Sequence, residues 1–172
     1  MNCSRSALVP AATLGRATLL GLCVGLASLA GCGTFEVSMA DQVIRQARSD
    51  ARVTLQVEPS TVRVGDALRM RVQTERPGYL YLVQIGSGNR AMTLIHPNPT
   101  EPAPRVVQPG TLMVLPGPGW KMIANGPPGT GYYLAIVTDE AQDLAAFRNA
   151  LDHRRIDVQG NYGAAIVTLR EL

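Results

Sequence analysis

The stretch that decides the fold is YLYLVQI at residues 79–85, in which every position except Gln84 is apolar. A strand with one face in water alternates apolar and polar residues, whereas a strand covered on both faces does not. The run YYLAIV at residues 132–137 has the same character. We therefore predict two central strands that are buried on both faces.

Flanking segments have the alternation of half-buried strands. Residues 53–57 and 68–72 each place an apolar residue at every second position, which predicts two strands with one wet face. Breaks rich in Gly, Pro and Asn separate several further short segments, and residues 97–104 contain four prolines and should form a loop. These further strands are predicted at residues 62–64, 91–96, 105–108, 111–115, 120–124 and 164–169, with turns at 86–89 and 125–131.

Two helices are predicted outside this series of strands. One begins at Asp139, which has capping-box spacing to Gln142, with acids in the first turns and basic residues near the end. Its apolar stripe of Leu144, Phe147 and Leu151 should lie on a sheet. A short helix is also expected within residues 33–50, which we interpret as a tether. The whole pattern predicts a mainly β protein: an immunoglobulin-like or transthyretin-like sandwich with one helix packed at its edge.

The first 31 residues have the parts of an export signal. Arg5 and Arg16 precede an uncharged apolar run at residues 17–30, which is shorter than the roughly 20 residues that a membrane-spanning helix needs. The run ends in Leu29, Ala30 and Gly31, directly before Cys32.

That ending resembles the lipobox of bacterial lipoproteins, and an ordinary signal peptide that happens to contain Cys is the alternative. The resemblance implies cleavage before Cys32, attachment of lipid (palmitate among its acyl chains) to that residue, and stable anchoring by two or three chains. Gly33 stands where Asp would favour the inner membrane, so we expect the outer membrane, facing the periplasm. The predicted organisation is a signal peptide at 1–31, a lipidated tether at 32–50 and a sandwich domain at 51–172.

Composition limits the partners that the mature chain can have. Removing Arg5 and Arg16 leaves 14 of the 16 basic residues against 13 acidic ones, so there is no electrostatic case for nucleic acid. Cys3 and Cys23 leave with the signal and Cys32 takes lipid, so no disulfide is expected. The domain must be stable through its core alone.

The motifs that suggest nucleotide binding, metal binding or catalysis lack residues that these functions require. Gly126–Gly131 reads GPPGTG, like the start of an ATPase phosphate loop, but Tyr132 and Tyr133 follow where Lys and Ser or Thr are required. We therefore expect a turn and no nucleotide. His96 and His153 stand apart from any acidic cluster, so no metal and no other cofactor is predicted. No nucleophile has the sequence context of a hydrolase, and we predict a protein without catalytic residues.

Four residues are candidates for contacts with a partner. Trp120, beside a Gly/Pro turn, is the leading one, with packing in the core or at its rim as the alternative. Arg90, His96 and Asn98 are the others.

Residues 53–138 resemble a family of envelope proteins that carry a domain of unknown function. The resemblance lies in the motifs Val64-Gly65-Asp66, PGYLYL at 77–82, His96-Pro97-Asn98, Leu115-Pro116 and GPPGT at 126–130. His96 departs from the family, which usually has an aromatic or apolar residue before Pro-Asn. Members occur as lipoproteins and appended to caspase-like peptidases and protein kinases. The resemblance implies an accessory β domain, transfers no catalytic residues, and does not reach the last helix and strand.

Two functions follow as expectations. The first is a protein-binding or assembly lipoprotein with a periplasmic or envelope protein partner, such as an accessory to a secretion apparatus, by analogy with the small lipidated sandwiches of type VI secretion. The alternative is a module that binds peptidoglycan or another glycan, using Trp120, Arg90 and the loop at 97–104.

Overall fold

The computed structural model describes residues 34–86 and 91–172, and all structural statements below concern these residues. The predicted signal peptide at 1–31, Cys32 and Arg90 lie outside them. Within them the chain forms two helices and ten strands. Their bounds are α1 Thr34–Gln46, β1 Val53–Glu58, β2 Thr61–Val62, β3 Ala67–Thr74, β4 Gly78–Ile85, β5 Met92–His96, β6 Val106–Val107, β7 Met113–Leu115, β8 Met122–Ile123, β9 Gly129–Thr138, α2 Leu144–Asp152 and β10 Tyr162–Glu171.

The strands form two sheets. The small sheet has the order β1-β3-β7, and β8 pairs with the start of β3. The large sheet has the order β2-β10-β9-β4-β5, and β6 pairs with the start of β4. All pairings are antiparallel except that of β2 with β10. The predicted mainly β architecture of two packed sheets is confirmed.

The large sheet is covered on both faces, which explains its two all-apolar strands. Leu80 and Leu82 of β4 pack into a core that the small sheet shares. Tyr81 and Val83, on the opposite face, pack into a second core beneath the helices. β1 and β3 of the small sheet instead alternate buried and exposed residues, as their sequences predict.

The segment predicted as a tether packs on the domain. Ala40 and Val43 of α1 are buried in the second core, and the Tyr162 hydroxyl donates to the Val43 carbonyl at 3.2 Å. The short helix expected there is confirmed. The apolar stripe of α1 packs on the outer face of the large sheet. Residues predicted as a tether are therefore part of the folded domain. No helix in the described part of the chain is long and apolar enough to cross a bilayer.

The start of α2 differs from the prediction. The helix begins at Leu144, and Asp143 is its N-cap, with Oδ1 accepting from the backbone of Ala145 and Ala146. Asp139 accepts instead from Asn161. The Gln142 N–H donates to the Tyr81 hydroxyl at 2.8 Å. Residues 139–142 are thus hydrogen-bonded outside a helix, and the predicted acids of the first turn and bases of the last turn lie outside α2.

β9 and β10 are both longer than predicted, because they pair with each other along their full length. β9 begins at Gly129, inside the predicted turn, because the long β10 supplies partners as far as Glu171. β10 itself lies between β2 and β9, so the last strand is an internal part of the large sheet. α2 lies over β5, the edge strand of that sheet, as the predicted edge helix should.

Candidate functional site

The proline-rich loop after β5 is closed by one amide side chain. Asn98 Oδ1 accepts from the backbone N–H groups of Thr100 and Glu101 at 2.9 and 3.0 Å, and its Nδ2 donates to the Ile95 carbonyl at 3.1 Å. An Asn that bonds the backbone two and three residues later is a turn-forming device. The His-Pro-Asn motif therefore shapes this loop.

His96 supports the same loop from below. The side chain is 0 % exposed, and its Nε2 accepts from the Arg105 backbone N–H at 3.1 Å. Because Nε2 uses its lone pair in that bond, the neutral ring carries its proton on Nδ1, which faces Glu101 Oε2 at 3.4 Å. Burial lowers the pKa of His96 to about 4, outweighing the opposite effect of Glu101. The imidazole is neutral at neutral pH.

Glu101 is the centre of a polar group that we call the Glu101 cluster: His96, Glu101, Arg105 and Trp120. Its side chain is 17 % exposed, and the Arg105 guanidinium donates to its Oε1. Burial raises the pKa of Glu101, but the Arg105 guanidinium and the nearby indole N–H of Trp120 lower it by a larger amount, so the pKa lies below its usual value. Three buried atoms, the indole Nε1, His96 Nδ1 and Glu101 Oε2, form no hydrogen bond among the described residues, and the attraction between them is electrostatic.

Trp120 separates two depressions of the surface. The inter-sheet cleft, of about 240 Å³, lies between the β5 side of the large sheet and β8. The small-sheet groove, of about 710 Å³ and more open, lies where β7 and β8 leave a gap beside β3. Both depressions are lined by Trp120, Lys121 and Met122. The cleft is also lined by Gln84, Leu94, Asn98, Asn125 and Tyr133, and the groove by Arg69, Val114 and Pro116.

The wall of the inter-sheet cleft includes a nearly buried phenol. Burial, together with the negative charge of Glu171, raises the pKa of Tyr133 to about 12. Glu171 is itself buried, and its Oε2 has no hydrogen-bond partner among the described residues. An uncharged tyrosine in such a wall offers a hydroxyl for hydrogen bonding rather than a reactive phenolate.

Three of the four predicted contact residues come together. Asn98 and Trp120 line the inter-sheet cleft, and His96 lies beneath them in the Glu101 cluster. Being fully buried, His96 positions the loop and does not itself reach a partner in this conformation. The fourth, Arg90, is outside the described residues.

Glu101 and Arg105 were not among the residues predicted from the sequence. One signal was available, because Glu101 is the sole charged side chain among the prolines of residues 97–104. A lone carboxylate in such a loop invites a search for a cationic partner, and Arg105 is the next charged residue along the chain.

The GPPGTG segment and His153 are not part of the Glu101 cluster. In the part of the chain that the structure describes, no three His, Cys, Asp or Glu side chains are grouped so as to hold a metal. The GPPGTG segment leads into β9, whereas a phosphate loop opens a helix. His153 is the C-cap of α2, its Nδ1 lying 2.8 Å from the Asn149 carbonyl oxygen, as expected for a residue at a helix end.

Comparison with known families places this corner within a recurrent domain. Residues 61–141 match a domain of unknown function, DUF4384. The match runs from β2 to just beyond β9 and so contains the whole Glu101 cluster. It leaves out β1 and β10, although each pairs with strands inside it. The matched segment is therefore not a complete pair of sheets by itself.

The sporulation control protein Spo0M from Bacillus subtilis is similar in structure with a TM-score of 0.40 and 13 % identity, over 72 % of this chain and 50 % of that one. This chain thus spans about half of that protein's length, and the similarity is too low to support an argument. No curated protein sequence matches the chain.

Proposed function

We propose that this protein is a lipid-anchored, periplasm-facing module of the outer membrane that binds another envelope protein and takes part in its assembly. Three sequence features support the location: an export signal, the lipobox at residues 29–32 and the absence of Asp after Cys32. A role as accessory to a secretion apparatus is the more specific form of the proposal. The same proposal takes the sandwich to be of the immunoglobulin-like or transthyretin-like type.

The observation that carries the binding role is the way Trp120 is held. The Glu101 cluster engages the indole N–H on the inner side, which leaves the ring as a wall between two depressions of the surface. Interface residues that contribute most to binding are often Trp set in such pre-formed surroundings. Nearby, Val114 is 41 % exposed and Ile123 48 % exposed, and grouped exposed apolar side chains mark sites of protein contact.

The anchoring half of the proposal is tested at one residue. Cells fed labelled palmitate should label the wild-type protein and leave Cys32→Ser unlabelled, and that variant should leave the membrane fraction. Labelling of the variant, or its retention with membranes, would refute the lipid anchor.

The binding half is tested by crosslinking in cells with a tagged, lipidated protein. We expect Trp120→Ala to lose a specific adduct that Trp120→Phe largely retains, because Phe keeps a flat apolar wall. The unfolding midpoint of each variant is the control, since Trp120 also packs against the core between the two sheets. An adduct that persists in a folded Trp120→Ala protein contradicts this role.

A glycan-binding module is the second candidate, and the inter-sheet cleft favours it. Amide side chains of Gln84, Asn98 and Asn125 and the hydroxyl-bearing Tyr133 surround Trp120 there. The volume is smaller than the roughly 300–1,000 Å³ of most ligand sites, so the cleft suits a single sugar ring. Retention on purified sacculi that Gln84→Ala abolishes would support this candidate, and passage of the wild type through the sacculi without retention would exclude it.

A further inference from the structure

The small-sheet groove is a built feature of the strand pairing. β7 pairs with the middle of β3, from Met70 to Val72, whereas β8 pairs with its first two residues. The chain leaves the sheet between them through residues 116–121. Val114 and Pro116 form one wall of the resulting gap, and Trp120 and Met122 form the other.

The lining of this groove is apolar with a positive rim. Glu58 is the one carboxylate among its lining residues, and it pairs with the adjacent Arg71 at 3.1 Å. Arg69 and Lys121 also line the groove, and among the described residues neither makes a salt bridge. Because Arg71 pairs with Glu58, the two lining cations Arg69 and Lys121 leave the rim positive, and the local field attracts negative charge.

We propose that the small-sheet groove binds an acidic segment of the partner protein that inserts one large apolar side chain against Trp120. This inference rests on the proposed protein-binding function and adds the chemistry of the partner. The segment would lie over the start of β3, where residues of β1, β3 and β7 line the groove together. Arg69 and Lys121 would neutralise its carboxylates.

Trp120 is the single tryptophan of the chain, so its fluorescence reports on the groove directly. The probes are a synthetic Glu/Asp-rich peptide with one Phe and the same peptide with Lys at every acidic position. We expect the acidic peptide to change the emission saturably, with an affinity that falls as salt is added. The Lys peptide should produce no saturable change. Equal responses to both peptides, or none to either, would overturn the proposal.

Variants separate this groove from the neighbouring cleft. Arg69→Glu should lower the affinity for the acidic peptide by about tenfold or more, since it replaces an attraction with a repulsion. Gln84→Ala, which alters the cleft alone, and Arg148→Glu on the exposed face of α2 should leave the affinity unchanged. A loss with Gln84→Ala and none with Arg69→Glu would assign the peptide to the cleft and refute the groove.

A photo-crosslinking amino acid in the lipidated protein distinguishes this inference from the function on which it rests. We expect an adduct from position 114 that Arg69→Glu abolishes, and none from the exposed Thr93 of β5. Adducts at 93 but not at 114 would leave the binding function standing and remove this site. If no position tested yields a protein adduct while the protein remains membrane-bound, the binding function itself fails.

Discussion

Two corners of the molecule use the same ionic chemistry in different surroundings. Asp50 lies between Arg48 and Arg76, with oxygen–nitrogen distances of 2.7 and 2.6 Å, and is 44 % exposed. Glu101 lies between Arg105 and His96 and is largely covered. Water screens the first group, so its charges are worth little to stability. The second group is mostly covered, so its charges are screened less and each member depends more on the others. Burial, rather than the number of charges, makes the Glu101 cluster a rigid support for Trp120.

The largest effect should come from removing the central carboxylate. Glu101→Ala leaves the Arg105 guanidinium without its acceptor and removes the carboxylate that attracts the buried imidazole and indole N–H groups, and we expect it to lower the free energy of unfolding by about 3 kcal/mol. Denaturant titration measures the loss, and Glu101→Gln, which keeps an acceptor oxygen, should lose less. Equal stability of the Ala variant and the wild type would mean that the cluster is as well screened as Asp50.

Lowering the pH should destabilise the buried Glu101 cluster through protonation of His96. Its pKa is about 4 in the folded protein against an ordinary value of 6.5, so between these pH values the unfolded chain binds the proton and the folded one does not. The free energy of unfolding should therefore fall as pH drops through this window, by up to about 3 kcal/mol in total.

The comparison of His96→Asn with the wild type isolates this titration. The variant lacks the ionisable ring, so its stability should change less between pH 6.5 and 4. Asp50, whose pKa is lowered by its bond to Arg48, contributes stability that is lost only at more acidic pH. Parallel pH profiles for the two proteins would show that His96 titrates normally in the folded state.

A smaller effect should follow when the cluster is disturbed without removing any charge. A methyl group at Gly117 would collide with the Arg105 guanidinium and the Glu101 carboxylate, so Gly117→Ala should push the pair apart at a cost of about 1 to 2 kcal/mol. At Gly131 the same methyl meets just the Ile85 carbonyl oxygen, at 3.6 Å. Gly131→Ala is thus the matched control, and equal losses from the two changes would contradict the prediction.

The smallest effect is expected at the exposed corner. Asp50→Asn should leave the denaturant midpoint almost unchanged, and what difference exists should vanish in high salt, because solvent and ions already screen these charges. A loss comparable with that of Glu101→Ala would show that exposure does not separate the two corners.

Much of the fold was accessible from sequence because its strands have strong patterns. The runs at 79–85 and 132–137 gave two doubly buried strands, and the alternation at 53–57 and 68–72 gave two half-buried ones. Predicted helix boundaries were wrong where distant residues decide them. Asp139 has the spacing of a helix cap, yet its carboxylate accepts hydrogen bonds from Asn161, 22 residues away. At the candidate site, Trp120, His96 and Asn98 were singled out by type and local context. Glu101 and Arg105 were not, because a buried ion pair in a proline-rich loop has no periodic signature.

By itself, the sequence predicts an export signal with a lipobox, and it determined the β character of the chain and the two strands that need cover on both faces, since these depend on composition and spacing along a short stretch. The tertiary structure alone decided that α1 packs on the large sheet, that β10 lies between β2 and β9, and that Glu101 gathers His96, Arg105 and Trp120. Each of those outcomes depends on which distant surface excludes water from a side chain, and that is set only when the two sheets and the helices close upon one another.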